Sequence, residues 1–429
     1  MLKTVFPVSI IIALRFLGLF IVLPMLSVYA LELEGANEIT VGAAVGIYAI
    51  SQMIMQTPLG ALSDKIGRKE ILFFGTVIFI TGSLLCCYAS NIYILLLGRF
   101  IQGMGAVGAV GTALISDLTK EEERAKAMAF MGIIIAFSFA FSMTLGPVIG
   151  GAFGVDKLFL LTAVLAFLSL FLLIKIPNAK INFAKHEKSG YMKLLKDKNL
   201  YRMNITNFLQ KAFMSAAFIT IPVVMTQEFL WQKEELWRVY VPAVILGLLA
   251  MIPSVIIGEK MKKSREMLCV GIGFFALSYC LMFYAKNELI FIVGAAAFFV
   301  GFNIHEPLMQ SLASKYAKVK ERGATLGVFN VFGYLGTFLG GVIGGIFLKH
   351  DANLFWILFF VCALWLILIL TLKNPALFKI IYIPLSRAKP ERLNGLKGVV
   401  EQYAAHDTLV VKIDTSILDK SAVEKIMQD

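Results

Sequence analysis

The sequence predicts an all-α membrane protein of twelve transmembrane helices in two six-helix bundles, followed by a small cytoplasmic domain of α+β structure. Three observations support this prediction. Of the 429 residues, 59% are apolar and only 16% are charged, whereas soluble domains are about 45 to 50% apolar and about 25% charged. The apolar residues form twelve long stretches, and the composition changes after the last of them. A single soluble globule is therefore excluded.

Each predicted span has about 20 mostly apolar residues, the number needed to cross a hydrocarbon layer of about 30 Å at about 1.5 Å per residue. The first stretch has no small-residue cleavage site, so we interpret it as a retained span and not as a signal peptide. Spans 1 to 6 are expected at about 4–30, 39–62, 70–89, 92–116, 125–153 and 158–174. Spans 7 to 12 are expected at about 204–225, 239–258, 267–285, 289–313, 323–348 and 354–372.

The distribution of basic residues predicts the orientation. A net charge of +12 and a pI near 9.3 would by themselves permit a nucleic-acid binder. Of the 40 Lys and Arg, however, 22 fall in loops after even-numbered spans and only 5 in loops after odd-numbered spans. Because cytoplasmic loops carry an excess of Lys and Arg, both termini are expected in the cytoplasm of a multi-pass inner (cytoplasmic) membrane protein. The charge reflects topology, and no nucleic-acid partner is expected.

The chain divides into four predicted regions. An N-terminal six-helix bundle covers 1–174, and a basic cytoplasmic linker with an amphipathic helix covers 175–203. A C-terminal six-helix bundle covers 204–372, and a cytoplasmic domain covers 373–429. Two six-span halves joined by a basic loop are typical of transporters built from repeats, with the substrate path between the halves.

The cytoplasmic region has a β-α-β-β-α pattern. Strands are predicted at 378–384, 399–403 and 408–414, and helices at 389–396 and 416–428. This order suggests a ferredoxin-like fold without its last strand. The five Cys of the chain lie in apolar spans without metal-ligand spacing, so no metal site is expected.

The loop between spans 2 and 3, which we call the signature loop (60–69), combines glycines, an acid and bases. We expect Gly60 to let another helix approach and Gly67 to allow a tight turn. Asp64 is expected either to cap a neighbouring helix N-terminus or to pair with Arg68. A solvated basic turn would explain the cations but not the acid or the glycines. The residues at issue are Gly60, Asp64, Lys65, Gly67, Arg68 and Lys69.

Spans 4 and 5 contain further motifs. Arg99 precedes a Gln-Gly-x-Gly-Ala run in span 4, where an arginine is costly unless it faces a cavity or a partner. Asp117 and Arg124 follow at the predicted cytoplasmic end, where a simple ion pair worth about 0 to 1 kcal/mol is the alternative to a functional role. Small residues and a bend-forming proline in span 5 would permit close helix crossing. They are Ser142, Gly146, Pro147, Gly150 and Gly151.

Few ionisable residues lie within the spans, and each is a candidate for proton or substrate coupling because an unpaired charge there costs several kcal/mol. Glu306 is the acid best placed to carry a proton, with His305 or Arg15 tuning it. Alternatively, Glu306 is structural and pairs permanently with Arg15 or Lys211. Residues 301–307 are expected to interrupt the helix of span 10. The candidates are Arg15, Arg99, Lys211, Asn303, His305 and Glu306.

These motifs resemble those of the major facilitator superfamily. Residues 60–69 resemble its signature G-x-L-x-D-[RK]-x-G-R-[RK] at every defining position, and residues 99–106 resemble R-x-x-Q-G-x-G-A. Residues 142–151 resemble the antiporter motif G-x-x-x-G-P-x-x-G-G, except that Ser142 replaces the first glycine. With the ferredoxin-like tail, the chain is similar to the drug:proton antiporter-like branch that carries such a domain.

The resemblance implies the major facilitator fold, in which two bundles rock about a central cavity, and proton-driven export of small amphipathic molecules. It also implies that Asp64, Arg68 and Asp117 form a latch on the cytoplasmic side in the outward-open state. A small-molecule substrate, protons and membrane lipid are the expected partners of a monomer, and the proton gradient replaces any cofactor.

Three alternatives share parts of this pattern. Proton symport and facilitated diffusion use the same fold, and a membrane sensor would signal through the cytoplasmic domain. An enzyme is not expected, because the sequence has no GxxxxGK loop and no HExxH motif, and its four His are far apart.

Overall fold

A computed structural model describes residues 2–119, 121–176, 191–318, 321–349, 352–387, 390–393, 395–405, 408–419, 421–423 and 426. Twelve of its helices or helix pairs are long and apolar enough to cross a membrane, as predicted. Span 1 is broken at Val22, just before Pro24 at the start of its second helix. Span 4 is broken at Gly105, whose bare Cα packs against the backbone of Gly75.

The helices of spans 1 to 6 are Leu2–Ile21 with Leu23–Leu31, Glu38–Ile66, Arg68–Cys87, Ile92–Met104 with Gly108–Leu118, Glu121–Phe153 and Val155–Ile174. The linker contains the short helix Tyr191–Lys196, and residues 177–190 lie outside the described part. The helices of spans 7 to 12 are Lys198–Gln227, Trp237–Val255 with the π turn Ile256–Lys260, Ser264–Phe283, Glu288–Tyr316, Arg322–Ile346 and Ala352–Leu370.

The predicted interruption of span 10 at 301–307 is wrong, because its helix runs without a break from Glu288 to Tyr316 with Pro307 inside it. Proline removes one backbone hydrogen bond, and membrane helices tolerate this loss where neighbouring groups satisfy the freed carbonyl. Asn303 and Glu306 therefore have fixed positions on a regular helix.

Close packing within the C-terminal half depends on small residues. In span 11, an added Cβ at Gly336 or Gly340 would overlap the backbone of Phe208 or Ala212 in span 7. Lipid tails are as apolar as leucine, so helices in a bilayer associate through such close backbone contact.

The two halves meet at their outer ends. Gly42 of span 2 packs against the backbone of Gly341 in span 11, and Gly46 packs against Phe338. Ser27 of span 1 donates a hydrogen bond to the carbonyl of Phe218 in span 7, at 3.2 Å. We call these contacts the outer closure.

The cytoplasmic ends of the halves are separated. In the described part of the chain, no atom outside the local helix lies within 4 Å of a Cβ added at Gly60, Gly132 or Gly323, all near the cytoplasmic ends of their spans. The close helix contact expected at Gly60 is therefore absent in this conformation. Because the described contacts between the halves lie at their outer ends and near mid-membrane, this conformation is closed on the outer side, and we call it inward-facing.

The cytoplasmic domain contains a three-stranded antiparallel sheet in the order β1-β3-β2. Its strands are β1, Phe378–Pro384, β2, Val399–Ala405, and β3, Thr408–Asp414, close to their predicted bounds. This is the order of the first three strands of a ferredoxin-like fold. The helix predicted at 389–396 is instead a 3-10 turn at Pro390–Leu393, with Lys389 and Asn394 outside the described residues. Of the helix predicted at 416–428, residues 421–423 and 426 are helical and residues 416–419 are not, while 420, 424, 425, 427 and 428 lie outside the described residues.

The central strand of this domain docks on the end of span 10. The buried Lys412 ammonium donates hydrogen bonds to the carbonyls of Lys315 and Ala317, at the helix C-terminus. A cation there satisfies carbonyls that have no partner within the helix. Burial lowers the pKa of Lys412. The ring of Tyr316 also packs edge-on against Phe378, with centroids 5.7 Å apart.

Substituting Gly42→Ala is expected to weaken the outer closure. The new Cβ would overlap the carbonyl oxygen of Gly341, and backbone cannot move aside as a side chain can. Overpacking costs about 1 to 3 kcal/mol, so the outer ends of spans 2 and 11 should separate in a larger fraction of molecules. Spin-label distances between those ends measure the change. Gly273→Ala, where nothing lies within 4 Å, is the control, and equal distances in both variants would contradict the expectation.

Substituting Lys412→Met is expected to loosen the cytoplasmic domain, because two carbonyls lose a charged donor. Each such hydrogen bond is worth about 1.5 to 3 kcal/mol. Limited proteolysis between span 12 and β1 should become several times faster, while the exposed Lys397→Met control keeps the original rate. Unchanged cleavage of the Lys412 variant would show that the domain is held by other contacts.

Candidate functional site

Arg68 is the centre of the signature loop. Gly67, with φ of +132°, turns the chain directly into span 3, which begins at Arg68. The guanidinium Nη2 lies 2.6 Å from Oδ1 of Asp64, and Nε lies 3.1 Å from Oδ2 of Asp117. Nη1 donates to the hydroxyl of Ser63 at 2.6 Å, a partner that the motif had not indicated. One side chain therefore joins the ends of spans 2, 3 and 4.

The signature loop and Asp117 belong entirely to the N-terminal half. Lys69 donates to the carbonyl of Ile176 at 2.7 Å, which ties span 3 to the end of span 6. Lys65 is exposed, and the side chain of Arg124 lies outside the described residues. In the inward-facing conformation this cluster is assembled on one half and does not bridge the two halves.

Arg99 is buried inside the N-terminal bundle. Its Nε donates to the carbonyl of Ala44 at 3.2 Å, and Nη1 donates to Oε1 of Gln102 at 2.8 Å. The guanidinium carbon lies 4.7 Å from the centroid of the Tyr48 ring, within cation-π range. Arg99 therefore connects span 4 to span 2, and the structure does not bring it to Glu306.

Arg15 lies beside a polar group of residues that sequence reasoning missed. Its guanidinium carbon is 5.5 Å from the Phe79 ring, and in the described part of the chain its buried Nε has no hydrogen-bond partner. Nearby, Gln52 donates to the hydroxyl of Tyr334 at 3.0 Å, and that hydroxyl donates to Gln56. The available signal was two glutamines four residues apart in an apolar span. These bonds connect span 2 to span 11 near mid-membrane.

Glu306 pairs with Lys211. The Lys211 Nζ lies 2.9 Å from Oε2 and 3.1 Å from Oε1, and Gln210 donates to Oε2 at 2.9 Å. The Glu306 side chain is 49% exposed and that of Lys211 23%, so the pair is accessible. Of the two cations considered for Glu306, the structure pairs it with Lys211 and not with Arg15.

His305 and Asn303 lie away from this carboxylate. His305 is buried with Nε2 2.8 Å from the carbonyl of Leu268, and its ring packs edge-on against Phe275 and Trp365. The Asn303 amide donates to the carbonyl of Phe299, one turn back on its own helix. Consecutive helical residues are about 100° apart, so the neighbour of Glu306 in sequence faces another surface. Among the described residues His305 makes no hydrogen bond to Glu306, so tuning of Glu306 by His305 would act through space and stays a prediction.

A row of aromatic rings crosses from one half to the other. Phe139 of span 5 stacks on Phe302 of span 10, with centroids 6.3 Å apart, and packs edge-on against Phe20 of span 1. Phe302 is one turn from Glu306 on the outer side, and the Lys211 Nζ lies 5.2 Å from its ring centroid. The ion pair thus lies on the cytoplasmic side of an apolar barrier between the halves.

The span 5 motif packs against span 1, span 6 and the loop before span 8 of the other half. Ser142 donates to the carbonyl of Leu17 at 3.1 Å, so the residue that replaces the first glycine makes a contact of its own. A Cβ at Gly146 would overlap the carbonyl oxygen of Ile21, next to the break in span 1. One at Gly150 would press on Leu158, and one at Gly151 would press on Glu234 of the other half. Pro147 lies within the unbroken helix.

The chain is similar to known transporters along most of its length. Its sequence matches the family described as the Major Facilitator Superfamily over residues 8–304 and 203–402. The inner membrane transport protein YajR of Escherichia coli (strain K12) is 32% identical over 432 residues, 97% of this chain and 95% of that protein. The quinolone resistance protein NorA of Staphylococcus aureus (strain COL) is 27% identical over 360 residues, 80% and 89% of the two chains.

Solved structures show the same fold at low identity. A D-xylose-proton symporter superposes with a TM-score of 0.73 at 14% identity, covering 87% of this chain and 98% of that one. The nucleoside transporter NupG gives a TM-score of 0.72 at 14% identity, with 87% and 100% covered. Together with the twelve spans and the signature loop, these matches identify a multi-pass transporter of the inner membrane and not an enzyme. The chain therefore belongs to the major facilitator superfamily.

Proposed function

We propose that the protein exports small amphipathic molecules in exchange for protons by alternating access, and that Glu306 carries the proton. The observation that carries this proposal is the Lys211–Glu306 pair, which is partly exposed and lies on the cytoplasmic side of the stacked Phe139 and Phe302 rings. The name of one relative, a quinolone resistance protein, supports an aromatic amphipathic substrate.

The ion pair provides a reason for coupling. Ionised Glu306 neutralises Lys211, and protonation would leave the ammonium without a counterion in a membrane-embedded site, at a cost of several kcal/mol. Protonation therefore changes the net charge of the site and the relative free energies of the inward-facing and outward-facing conformations. A proton crossing 100 mV releases about 2.3 kcal/mol, enough for a modest gradient of a neutral substrate.

The proposed cycle assigns the present conformation to the deprotonated state, in which substrate enters from the cytoplasm. After the halves rock, Glu306 is protonated from outside and substrate leaves. Asp64, Arg68 and Asp117 then act as the latch, because closure of the cytoplasmic ends brings this preassembled cluster toward the opposite half. In the closed state the negative carboxylate of Asp64 would be attracted to the N-terminus of span 11, which is the positive end of the helix dipole.

Other transport modes predict different signals. Adding substrate to energised vesicles moves protons in opposite directions for antiport and symport, so the sign of the pH change separates them. A facilitative porter gives no pH change at all. A sensor that signals through the cytoplasmic domain would show no substrate movement in the same vesicles.

Substituting Glu306→Gln is expected to lower the rate of proton-coupled transport of a quinolone probe in reconstituted vesicles by at least about tenfold. A tenfold change corresponds to about 1.4 kcal/mol. The single variant leaves Lys211 unpaired and should also lower the melting temperature. The double variant Glu306→Gln with Lys211→Gln removes both charges and should recover stability but not coupling. Glu266→Gln, at the cytoplasmic end of span 9, is the control. Full proton-dependent transport by the stable double variant would rule out Glu306 as the carrier.

Substituting Asp64→Asn is expected to increase the ratio of inward-facing to outward-facing molecules by about fivefold or more, the lower range of conformational coupling energies. The cause is loss of a charge that stabilises the closed cytoplasmic side. Distances between spin labels on the cytoplasmic ends of spans 2 and 11 report the fraction. Asp156→Asn, which breaks an ion pair with Lys157 at the outer side, should leave it unchanged. The latch assignment fails if both variants give the wild-type distances.

A further inference from the structure

The cytoplasmic domain and the transport core line a half-open cavity of about 350 Å³. Its walls come from the end of span 10, the loop after span 8, the start of span 11, and strands of the sheet. Neither Lys211 nor Glu306 lines this cavity, so it is distinct from the site of the ion pair. The domain therefore contacts the membrane-spanning core around a space that both of them line.

The walls of this cavity, which we call the domain cavity, carry an excess of positive charge. Five cations and two acids line it. Two of the cations are already engaged, since Lys315 pairs with Glu259 and Lys412 bonds to the carbonyls at the end of span 10.

Three further cations lack such a partner. Within the residues that the structure describes, no ion pair is found for Lys262, Arg322 or Lys379, all of which line the cavity. Like charges facing one space repel each other, and an anion between them would remove that repulsion. Arginine and lysine together provide the planar donors and the point charges that bind phosphate oxygens.

We infer that the domain cavity binds a cytoplasmic ligand bearing a phosphate group. Tyr403 and Phe378 supply aromatic and apolar wall beside the cations, and Ser314 supplies a hydroxyl, whereas the hydroxyl of Ser264 already donates to the carbonyl of Gly258. A volume of about 350 Å³ is in the range of small-molecule sites. The ligand carries a phosphate group that lies among Lys262, Arg322 and Lys379.

The three cations come from different parts of the chain. Lys262 follows span 8, Arg322 begins span 11, and Lys379 lies on β1. A bound phosphate therefore links the domain to two elements of the C-terminal half, next to the end of the helix that carries Glu306. The ligand stabilises the docked domain by mass action, because it binds the docked form and not the separated one.

The same phosphate chemistry is available from a soluble ester or from a lipid headgroup of the inner leaflet. The two sources are distinguished with full-length protein in neutral detergent. Thermal unfolding is followed with glycerol phosphate, with inorganic pyrophosphate, and with a short-chain phosphatidylglycerol at matched concentrations. A shift with the soluble compounds assigns a soluble ligand, and a shift with the lipid alone assigns a headgroup.

The deciding comparison uses two double variants with the same change in charge. Arg322→Gln with Lys379→Gln removes one cation of the cavity from the core and one from the domain. Lys263→Gln with Lys397→Gln removes exposed cations from the same two regions outside the cavity.

We expect the phosphate-dependent rise in melting temperature to disappear in the first variant and to persist in the second, with apparent affinity lowered at least tenfold. No shift with any of the three probes, or an equal shift in both variants, would overturn the inference. Both readouts are binding measurements, so they stand whether or not the protein exchanges protons for substrate.

Discussion

A charge within the membrane is expensive unless it has a partner, and the positions of Arg99, Lys211 and Glu306 follow from this constraint. Arg99 uses a backbone carbonyl, Gln102 and the face of Tyr48. Lys211 and Glu306 satisfy each other. These two arrangements differ in kind. The hydrogen-bond acceptors of Arg99 are a backbone carbonyl and an amide, which do not titrate, whereas the Lys211–Glu306 pair depends on the ionisation of a carboxylate. The second can respond to a proton, and the first holds the N-terminal bundle together.

The second organising feature is the contrast between the two ends of the cavity. The outer closure places glycine against backbone, so it contains few long side chains that must change rotamer when the halves separate. The cytoplasmic side instead carries the charged cluster of Arg68, Asp64 and Asp117, complete within one half. The outer side combines backbone packing with one ion pair between the halves, Lys233–Glu32, whereas the cytoplasmic side carries a cluster of three charged groups. The two openings therefore depend differently on pH and salt, since only charges are screened.

The cytoplasmic domain belongs physically to the C-terminal half. Lys412 donates a hydrogen bond to the carbonyl of Ala317 at the end of span 10. Lys373, which follows span 12, forms an ion pair with Asp414 at the end of β3. Because span 10 also holds Glu306, a ligand in the domain cavity and a proton on Glu306 would act on the same helix, although they are recognised by separate groups.

Local patterns in the sequence determined the number and bounds of the spans, their orientation, the turn at Gly67 and the strands 378–384 and 408–414. These features depend on composition and on contacts within a few residues, which the sequence displays directly. Only the tertiary structure decided that Glu306 pairs with Lys211, that Tyr334 joins Gln52, and that span 10 continues through its proline. Such contacts depend on the rotation and depth of each helix relative to its neighbours, and a shift of one residue, about 100°, is enough to exchange one partner for another.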